Sequence, residues 1–243
     1  MTKLLKGFTL AFNMMTIIPF FKVHDFFKGI NGYAVMFYPL VGFLIGLILW
    51  GAATLLAPHF PPLHLGIIIF ALWVTITGAL HVDGFSDTID GLFVKKERAV
   101  EVMKDPHVGG MGMTFSVVFL LLKASSVVAF GAYYLLPLVL MYARFNASLA
   151  IYFFPYITKN GMSALAKEEF TRSQLLFSAL YVLALGLSFG FFFTPFLLAG
   201  LLLLLVAKFF TGRLGGFSGD IYGFTIEVTE LLLLNLIIIE HIR

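Results

Sequence analysis

The chain of 243 residues contains no cysteine, and only 12% of its residues are charged. The absence of cysteine excludes disulfide bonds, thiolate zinc sites and a cysteine nucleophile. The scarcity of charge, together with 60% hydrophobic residues and a mean hydropathy of +0.99, lies far outside the composition of soluble domains. A formal net charge of +3 is too small to indicate a nucleic-acid partner. These features predict an integral membrane protein that has the lipid bilayer as a partner.

Several catalytic motifs are missing as well. The sequence has no G-x-S-x-G, no G-x-x-x-x-G-K-[ST] and no H-E-x-x-H, so the hydrolase, P-loop and zinc-protease classes lack their characteristic residues. No linker, repeat or change of composition divides the chain. We therefore expect one integral-membrane domain over residues 1–243, and a homo-oligomer of such domains is compatible with the sequence.

Long apolar runs are abundant, and a helix needs roughly 20 apolar residues to span a bilayer. Seven runs meet this requirement, which predicts an all-α, polytopic bundle of about seven transmembrane helices. The runs cover residues 33–57, 63–80, 111–136, 137–157, 174–193, 195–210 and 221–239. A further apolar segment at residues 1–21 carries two lysines and ends near Pro19, and it lacks a signal-peptide cleavage site. We expect it to form a helix in the membrane interface.

The charge of the connections alternates along the chain. Three connections contain no Lys or Arg, whereas 13 of the 16 basic residues fall on the other side of the predicted membrane. By the positive-inside rule that side is cytoplasmic, with the N-terminus inside and the C-terminus outside. The 13 bases are Lys3, Lys6, Lys22, Lys28, Lys95, Lys96, Arg98, Lys104, Lys159, Lys167, Arg172, Lys208 and Arg213. Arg243 lies at the outer end, and two more bases fall within predicted spans.

Three aspartates stand in an apolar context in G-A-L-H-V-D-G-F-S-D-T-I-D-G-L-F, residues 78–93. Asp83, Asp87 and Asp90 are spaced i,i+4 and i,i+3, so a continuous helix would carry all three carboxylates on one face. A divalent cation such as Mg²⁺ would neutralise such a cluster. Gly84 and Gly91 follow the outer two aspartates and would let a phosphate or a second backbone approach. The alternative is a solvated loop whose acids merely face water.

A second acidic group follows late in the chain. Asp220, Glu227 and Glu230 also share one helical face, and Glu230 falls near the middle of the last predicted span. Lys123 and Arg144 are the two cations predicted within spans, and they balance the two glutamates. The group predicts either a structural charge network between helices or direct participation in function.

A glycine-containing turn, K-D-P-H-V-G-G-M-G, occupies residues 104–112 at the start of the third predicted span. Its free backbone N–H groups are suited to an anion. Metal-binding acids, nearby bases and such a turn together describe a site for a diphosphate.

The same residues resemble a known family. Residues 77–93, T-G-A-L-H-V-D-G-F-S-D-T-I-D-G-L-F, followed by E-R-A-V-E-V-M-K-D-P-H-V-G-G-M-G, are similar to the central signature of cobalamin synthase, the adenosylcobinamide-GDP ribazoletransferase of bacteria and archaea. F-N-M-M-T-I-I-P, Y-P-L-V-G-F-L-I-G and G-F-S-G-D-I-Y-G-F-T-I-E-V-T-E agree as well. The resemblance therefore covers nearly the whole chain.

The resemblance implies a Mg²⁺-dependent transfer late in coenzyme B12 biosynthesis, at the cytoplasmic face of the inner membrane. A hydroxyl of α-ribazole, or of its 5'-phosphate, would attack the cobinamide-side phosphorus of adenosylcobinamide-GDP, and GMP would leave. It assigns Mg²⁺ to the first three aspartates and Asp220, and the role of base to Asp90 or Asp105. The expected substrate-binding residues are His81, Lys104, Arg213, Arg144, Gly84 and Gly91.

Two kinds of rival function remain at this point. Other intramembrane diphosphate chemistry is represented by CDP-alcohol phosphotransferases, whose D-G-x-x-A-R start is absent, and by prenyltransferases, whose N-x-x-x-D-x-x-x-D differs from the D-x-x-x-D-x-x-D here. A cation transporter would use the acids as an ion path, with Lys123 and Arg144 as gates.

Overall fold

The computed structural model describes residues 2–158, 162–189 and 193–242, which form eleven α-helices, one 3₁₀ turn and no named strand. Lys159 and Arg243, two of the bases used to predict the topology, lie outside these residues. The helices are α1 (Lys3–Met15), α2 (Ile30–Leu56), α3 (Pro62–Ile76), α4 (Leu80–Leu92), α5 (Lys96–Val102), α6 (Gly110–Phe130), α7 (Leu136–Phe153), α8 (Met162–Glu169), α9 (Arg172–Ser188), α10 (Phe193–Leu214) and α11 (Gly219–Ile242). The 3₁₀ turn, Tyr133–Leu135, leads into α7.

Helix α7 lies at the centre of the bundle. Of its membrane-length window 89% is buried inside the protein, against 33% for α6 and for α10. It packs along α2, where Gly42 and Gly46 leave no room for a Cβ because the α7 backbone at Leu140 and Pro137 occupies that space. Small residues allow two transmembrane helices to approach closely, and packing of this kind drives their association in a bilayer. The apolar side chains that remain outside, such as Leu121 and Leu204, face outwards as lipid-facing residues do.

The predicted polytopic all-α bundle is confirmed. Five helices are long and apolar enough to cross a membrane individually, and seven spans result if the bent pairs α3–α4 and α8–α9 each count as one. The helix predicted within residues 1–21 is confirmed too. It is α1, which ends at Met15, four residues before Pro19. Besides exposing Leu4 and Leu5, α1 buries Ala11 and Phe12 against the bundle.

The second predicted span differs from the structure. The sequence predicted a span over residues 63–80 followed by a connection over 81–110, but α3 ends at Ile76 and the chain turns by 82° into α4. Gly78 and Ala79 both adopt positive φ values, 59° and 56°, at this break. The Ile17 backbone N–H donates to the Ile76 carbonyl at 2.9 Å and so attaches the end of α1 to the break. Only the later part of the expected connection, with the short amphipathic α5, lies outside the bundle.

Helix α4 packs between α6 and α11 because it carries an apolar face as well as the aspartates. The Phe85 ring lies 4.3 Å from Phe119 of α6 and 5.3 Å from Phe224 of α11, measured between centroids. Aromatic pairs at these distances contribute beyond the area they bury. The acidic residues of α4 are therefore attached to the bundle and do not lie on a free loop.

Four charged side chains meet in the interior. The Lys123 Nζ lies 2.6 Å from Glu227 and 2.5 Å from Glu230, and the Arg144 Nη1 lies 2.6 Å from the second oxygen of Glu230. All four residues are at most 3% exposed. Lys123 also lies 4.6 Å from the centroid of the Trp73 ring, so the group connects α3, α6, α7 and α11. Two cations and two anions sum to zero, as a buried group in an apolar medium requires.

Glu230 is the acid that both cations share, so its removal tests the network. Glu230→Ala should lower the free energy of unfolding by about 3–5 kcal/mol, because Lys123 and Arg144 lose a buried counterion. We expect a drop of roughly 10 °C in the midpoint of thermal unfolding in detergent. The matched control is Glu240→Ala, on the exposed end of the same helix. Equal midpoints for the two variants would contradict a stabilising network.

Candidate active site

An open-mouthed cavity of about 220 Å³ lies between α1, α2, α4, α7, α8 and α11. Its polar lining includes Asp83 and His81 of α4, and Asp220 and Tyr222 of α11. These residues come from chain segments about 140 positions apart in the sequence. The cavity thus brings together two of the four carboxylates that the sequence assigned to a metal site.

Two glycines bring the acidic helices together. A Cβ on Gly84 would lie 3.0 Å from the Asp220 carbonyl oxygen, and one on Gly223 would lie 3.3 Å from the His81 carbonyl oxygen. The backbones of α4 and α11 are therefore almost in contact at this crossing. Of the two partners that the sequence allowed for Gly84, a phosphate or a second backbone, the structure shows the backbone.

Asp87 lies one helical turn beyond Asp83. Its carboxyl is partly buried and lies within electrostatic range of Asp83, Asp220 and Asp90, named in order of decreasing effect. It accepts no hydrogen bond from any residue that the structure describes. Several like charges close together favour a bound cation, which would neutralise them.

Asp90 has a different environment from the other acids. Its two carboxylate oxygens accept hydrogen bonds of 2.7 Å from the backbone N–H groups of Gly109 and Gly112. A Cβ on either glycine would collide with this carboxylate. Asp90 therefore ties α4 to the first turn of α6, and these two N–H groups of the turn hold a protein carboxylate. The predicted roles of Asp90 as metal ligand and base stay predictions.

Asp105 lies on the surface beside a second recess, which Asp90 and Gly109 also line. The His107 backbone N–H donates to it at 3.0 Å, and the His107 ring Nδ1 lies 2.8 Å away. The hydrogen bonds that the Asp105 carboxylate accepts from His107 stabilise its charged form and hold its pKa below the usual value. Neither predicted base lines the cavity that contains Asp83 and Asp220.

The predicted basic residues are divided between surface and interior. Lys104 is exposed and lies within electrostatic range of Asp220. The Arg213 guanidinium donates to the carbonyls of Leu92, at 2.7 Å, and Val94, at 3.1 Å, and so holds the C-terminal end of α4. Arg144 is fully buried in the charge network. The structure thus gives two of these cations a structural contact, and their predicted role in substrate binding stays a prediction.

Gly91 contacts protein rather than open space. A Cβ there would meet the Met103 side chain, and it would lie 3.1 Å from the Ala99 carbonyl oxygen. This glycine therefore allows α5 to pack closely on α4. A role for Gly91 in binding a phosphate stays a prediction without a contact that supports it.

The cavity also contains residues that the sequence reasoning missed. Tyr38 of α2, Ser163 of α8 and Tyr222 of α11 line it together with the predicted acids. Tyr222 stands two positions after Asp220 in S-G-D-I-Y-G, so its proximity to an acidic residue was the only available signal. Nothing in the local sequence around Tyr38 or Ser163 indicated a site, because they reach it only through the packing of α2 and α8.

The donor set decides whether Mg²⁺ fits. Within the described ranges no group of three His, Asp or Glu side chains is already placed to hold a metal ion. Mg²⁺ usually keeps several waters and binds one or two carboxylates together with substrate phosphates. Asp83 and Asp220, which line one cavity from two helices, supply that smaller set of oxygen ligands. The residues therefore fit a metal that arrives with a phosphorylated substrate.

Comparison of the sequence with known proteins identifies relatives along almost the whole chain. The family model described as cobalamin-5-phosphate synthase matches residues 7–238. A protein of Desulfitobacterium hafniense (strain Y51) named adenosylcobinamide-GDP ribazoletransferase is 37% identical over 210 residues, 82% of this chain and 83% of its own. Proteins with the same name from Pseudomonas aeruginosa (strain PAO1) and Thermosynechococcus vestitus are 38% and 37% identical, and the alignments cover 84% and 83% of this chain and 85% and 84% of theirs.

No solved structure matches the chain. The resemblance seen in residues 77–112 is confirmed by a match that extends almost from end to end and includes both helices that carry the acidic cavity. The chain therefore belongs to the cobalamin-5-phosphate synthase family.

Proposed function

We propose that the chain is a membrane-bound adenosylcobinamide-GDP ribazoletransferase. It joins α-ribazole, or its 5'-phosphate, to adenosylcobinamide-GDP, releases GMP and yields adenosylcobalamin or its 5'-phosphate. The observation that carries the proposal is the meeting of Asp83 and Asp220 in one cavity, within a chain whose relatives are named for this activity. Its substrates are accordingly small molecules, one of which carries a diphosphate.

Mg²⁺ is the proposed cofactor, held by Asp83 and Asp220 at the mouth of the cavity. When bound, it would withdraw charge from the diphosphate oxygens and make the phosphorus a better electrophile. Asp87, in electrostatic range of both ligands, completes the acidic surroundings. Lys104 is exposed and close enough to influence Asp220 electrostatically, and it can offset charge on the leaving GMP.

The protein's own residues position the reactants and move a proton. A ribazole hydroxyl oxygen forms a bond to the cobinamide-side phosphorus while the anhydride bond to GMP breaks. The hydroxyl proton passes to a carboxylate oxygen of Asp87, which accepts no hydrogen bond from described residues and is therefore free to receive it. Both carboxylate oxygens of Asp90, by contrast, already accept a hydrogen bond from the glycine turn.

The rival functions have less support. The in-span cations that a transporter would use as gates are paired with Glu227 and Glu230 at 2.5–2.6 Å in the interior, which suits a structural network. The family match also separates the chain from CDP-alcohol phosphotransferases and prenyltransferases. Assaying purified protein for GMP release against metal flux into vesicles distinguishes transferase from transporter.

We further propose that the acidic cavity opens to the cytoplasmic side of the inner membrane. The charge asymmetry of the connections supports this orientation. The helix contacts agree with it. Asp90, near the end of α4, contacts the first turn of α6, and Gly84, in the first half of α4, contacts the start of α11. The bases Lys95, Lys96, Lys104 and Arg213 lie close by in the sequence.

Asp83→Asn tests the metal assignment. The variant keeps the size of the side chain but removes one anionic ligand, so GMP release at saturating substrates should fall on the order of a hundredfold, and part of the loss should be recovered at high Mg²⁺. Asp83 is exposed and makes no hydrogen bond or ion pair with any residue that the structure describes, so the unfolding midpoint should not fall. Asp25→Asn, which changes another exposed aspartate far from the cavity, is the control. Wild-type activity and metal dependence in Asp83→Asn would exclude Asp83 as a ligand.

The absence of cysteine makes the orientation directly measurable. His59→Cys and Lys96→Cys place single thiols at exposed positions in the α2–α3 connection and at the start of α5. In intact cells a membrane-impermeant maleimide should label the first variant, and the second only after permeabilisation. The unmodified chain gives the background. The reverse labelling pattern would contradict a cytoplasmic cavity.

A further inference from the structure

The cavity that contains Asp83 and Asp220 has a second, largely apolar part. Met15 of α1, Ile151 of α7 and Ile226 of α11 line it beside the aromatic ring of Tyr38. These residues are buried, and none of them has a role in binding a diphosphate or a metal. The cavity is therefore chemically divided into an acidic mouth and an apolar interior.

Two polar atoms in this lining have no hydrogen-bond partner. The hydroxyl of Tyr222 and the Nδ1 of His81 are buried and meet no donor or acceptor among the described residues, and each residue is only 5% exposed. A buried polar group left without a partner costs about 1–3 kcal/mol. Both residues line the cavity, so a molecule bound there could supply the missing partners.

We propose that the apolar part of this cavity binds the aromatic base of the ribazole substrate, and that the Tyr222 hydroxyl donates a hydrogen bond to the free ring nitrogen of that base. The inference rests on the proposed function and assigns a subsite within it. The base of ribazole is a dimethylbenzimidazole, which has two fused rings, two methyl groups and one ring nitrogen that can only accept. An apolar pocket that contains a hydroxyl donor without a partner among the described residues is complementary to such a group.

The other large groups of the reaction fit this subsite less well. Guanine has several donors and acceptors on its edge, and most of them would stay unpaired against Met15, Ile151 and Ile226, which strongly disfavours binding. A corrin macrocycle is far too large for about 220 Å³. With the base inside, the ribose extends towards the mouth, where Asp83 and Asp220 are placed to hold the diphosphate. His81 then lies where its Nδ1 can pair with the nucleoside.

The test measures binding of α-ribazole alone to the full chain in detergent, without adenosylcobinamide-GDP. Tyr222→Phe removes only the hydroxyl, so it should weaken ribazole binding about fivefold to tenfold. The KM for ribazole should rise by the same factor, with kcat and the KM for adenosylcobinamide-GDP unchanged. Because the lost hydroxyl has no partner among the residues that the structure describes, the unfolding midpoint of the ligand-free protein should not fall. The matched control is Tyr134→Phe, which makes the same change at an exposed tyrosine in the 3₁₀ turn before α7, outside the lining of this cavity.

A second measurement varies the ligand instead of the protein. The benzimidazole riboside without the two methyl groups should bind roughly tenfold more weakly, since the methyl groups lose their apolar contacts, and guanosine should not compete. Wild-type affinity in Tyr222→Phe together with equal affinity for the demethylated nucleoside would overturn the subsite, although GMP release by the wild type would leave the proposed function intact. Failure of the wild type to release GMP, with ribazole still bound, would instead overturn the proposed function.

Discussion

The cost of placing charge in an apolar medium governs this structure. In the interior, Lys123 and Arg144 are each paired with a glutamate, and Glu230 accepts from both. The pairing is between α6, α7 and α11, so satisfying these charges also fixes how α6 and α11 are positioned around the central α7. The carboxylates of α4 and the start of α11 are not paired with cations in this way. That difference separates charges that hold the bundle together from charges that are available to a ligand.

Close helix contact places the available charges in one cavity. Gly84 and Gly223 bring the backbones of α4 and α11 nearly into contact, and the aromatic contacts of Phe85 hold α4 between its neighbours. The break at Gly78 and Ala79 permits α4 to leave the direction of α3. The acidic helix is consequently part of the packed bundle, and the positions of its carboxylates are determined by the fold.

The aspartates of the central motif divide into different roles. Asp90 holds the glycine turn by two backbone hydrogen bonds, and the collision that any Cβ on Gly109 or Gly112 would make with it explains the glycines there. Asp83 faces the cavity with Asp220, and Asp87 lies beside them. A diphosphate site built from Asp83, Asp220 and a metal that arrives with its substrate is consistent with the chemistry proposed for this family member.

The sequence alone determined the membrane class, the helical bundle and most helix positions, and it predicted a set of candidate site residues, because apolar runs and i,i+4 acid spacings are local properties. It indicated that the charges of Lys123, Arg144, Glu227 and Glu230 balance within the spans, and it left open whether they form a structural network or take part in function directly. Only the tertiary structure decided that α4 belongs to the bundle, that Asp90 and Arg213 serve the protein's own backbone, and that Tyr38 and Tyr222 share a cavity with Asp83. Those facts depend on which helix faces meet, and helix faces that are equally apolar carry no local signal of their partners.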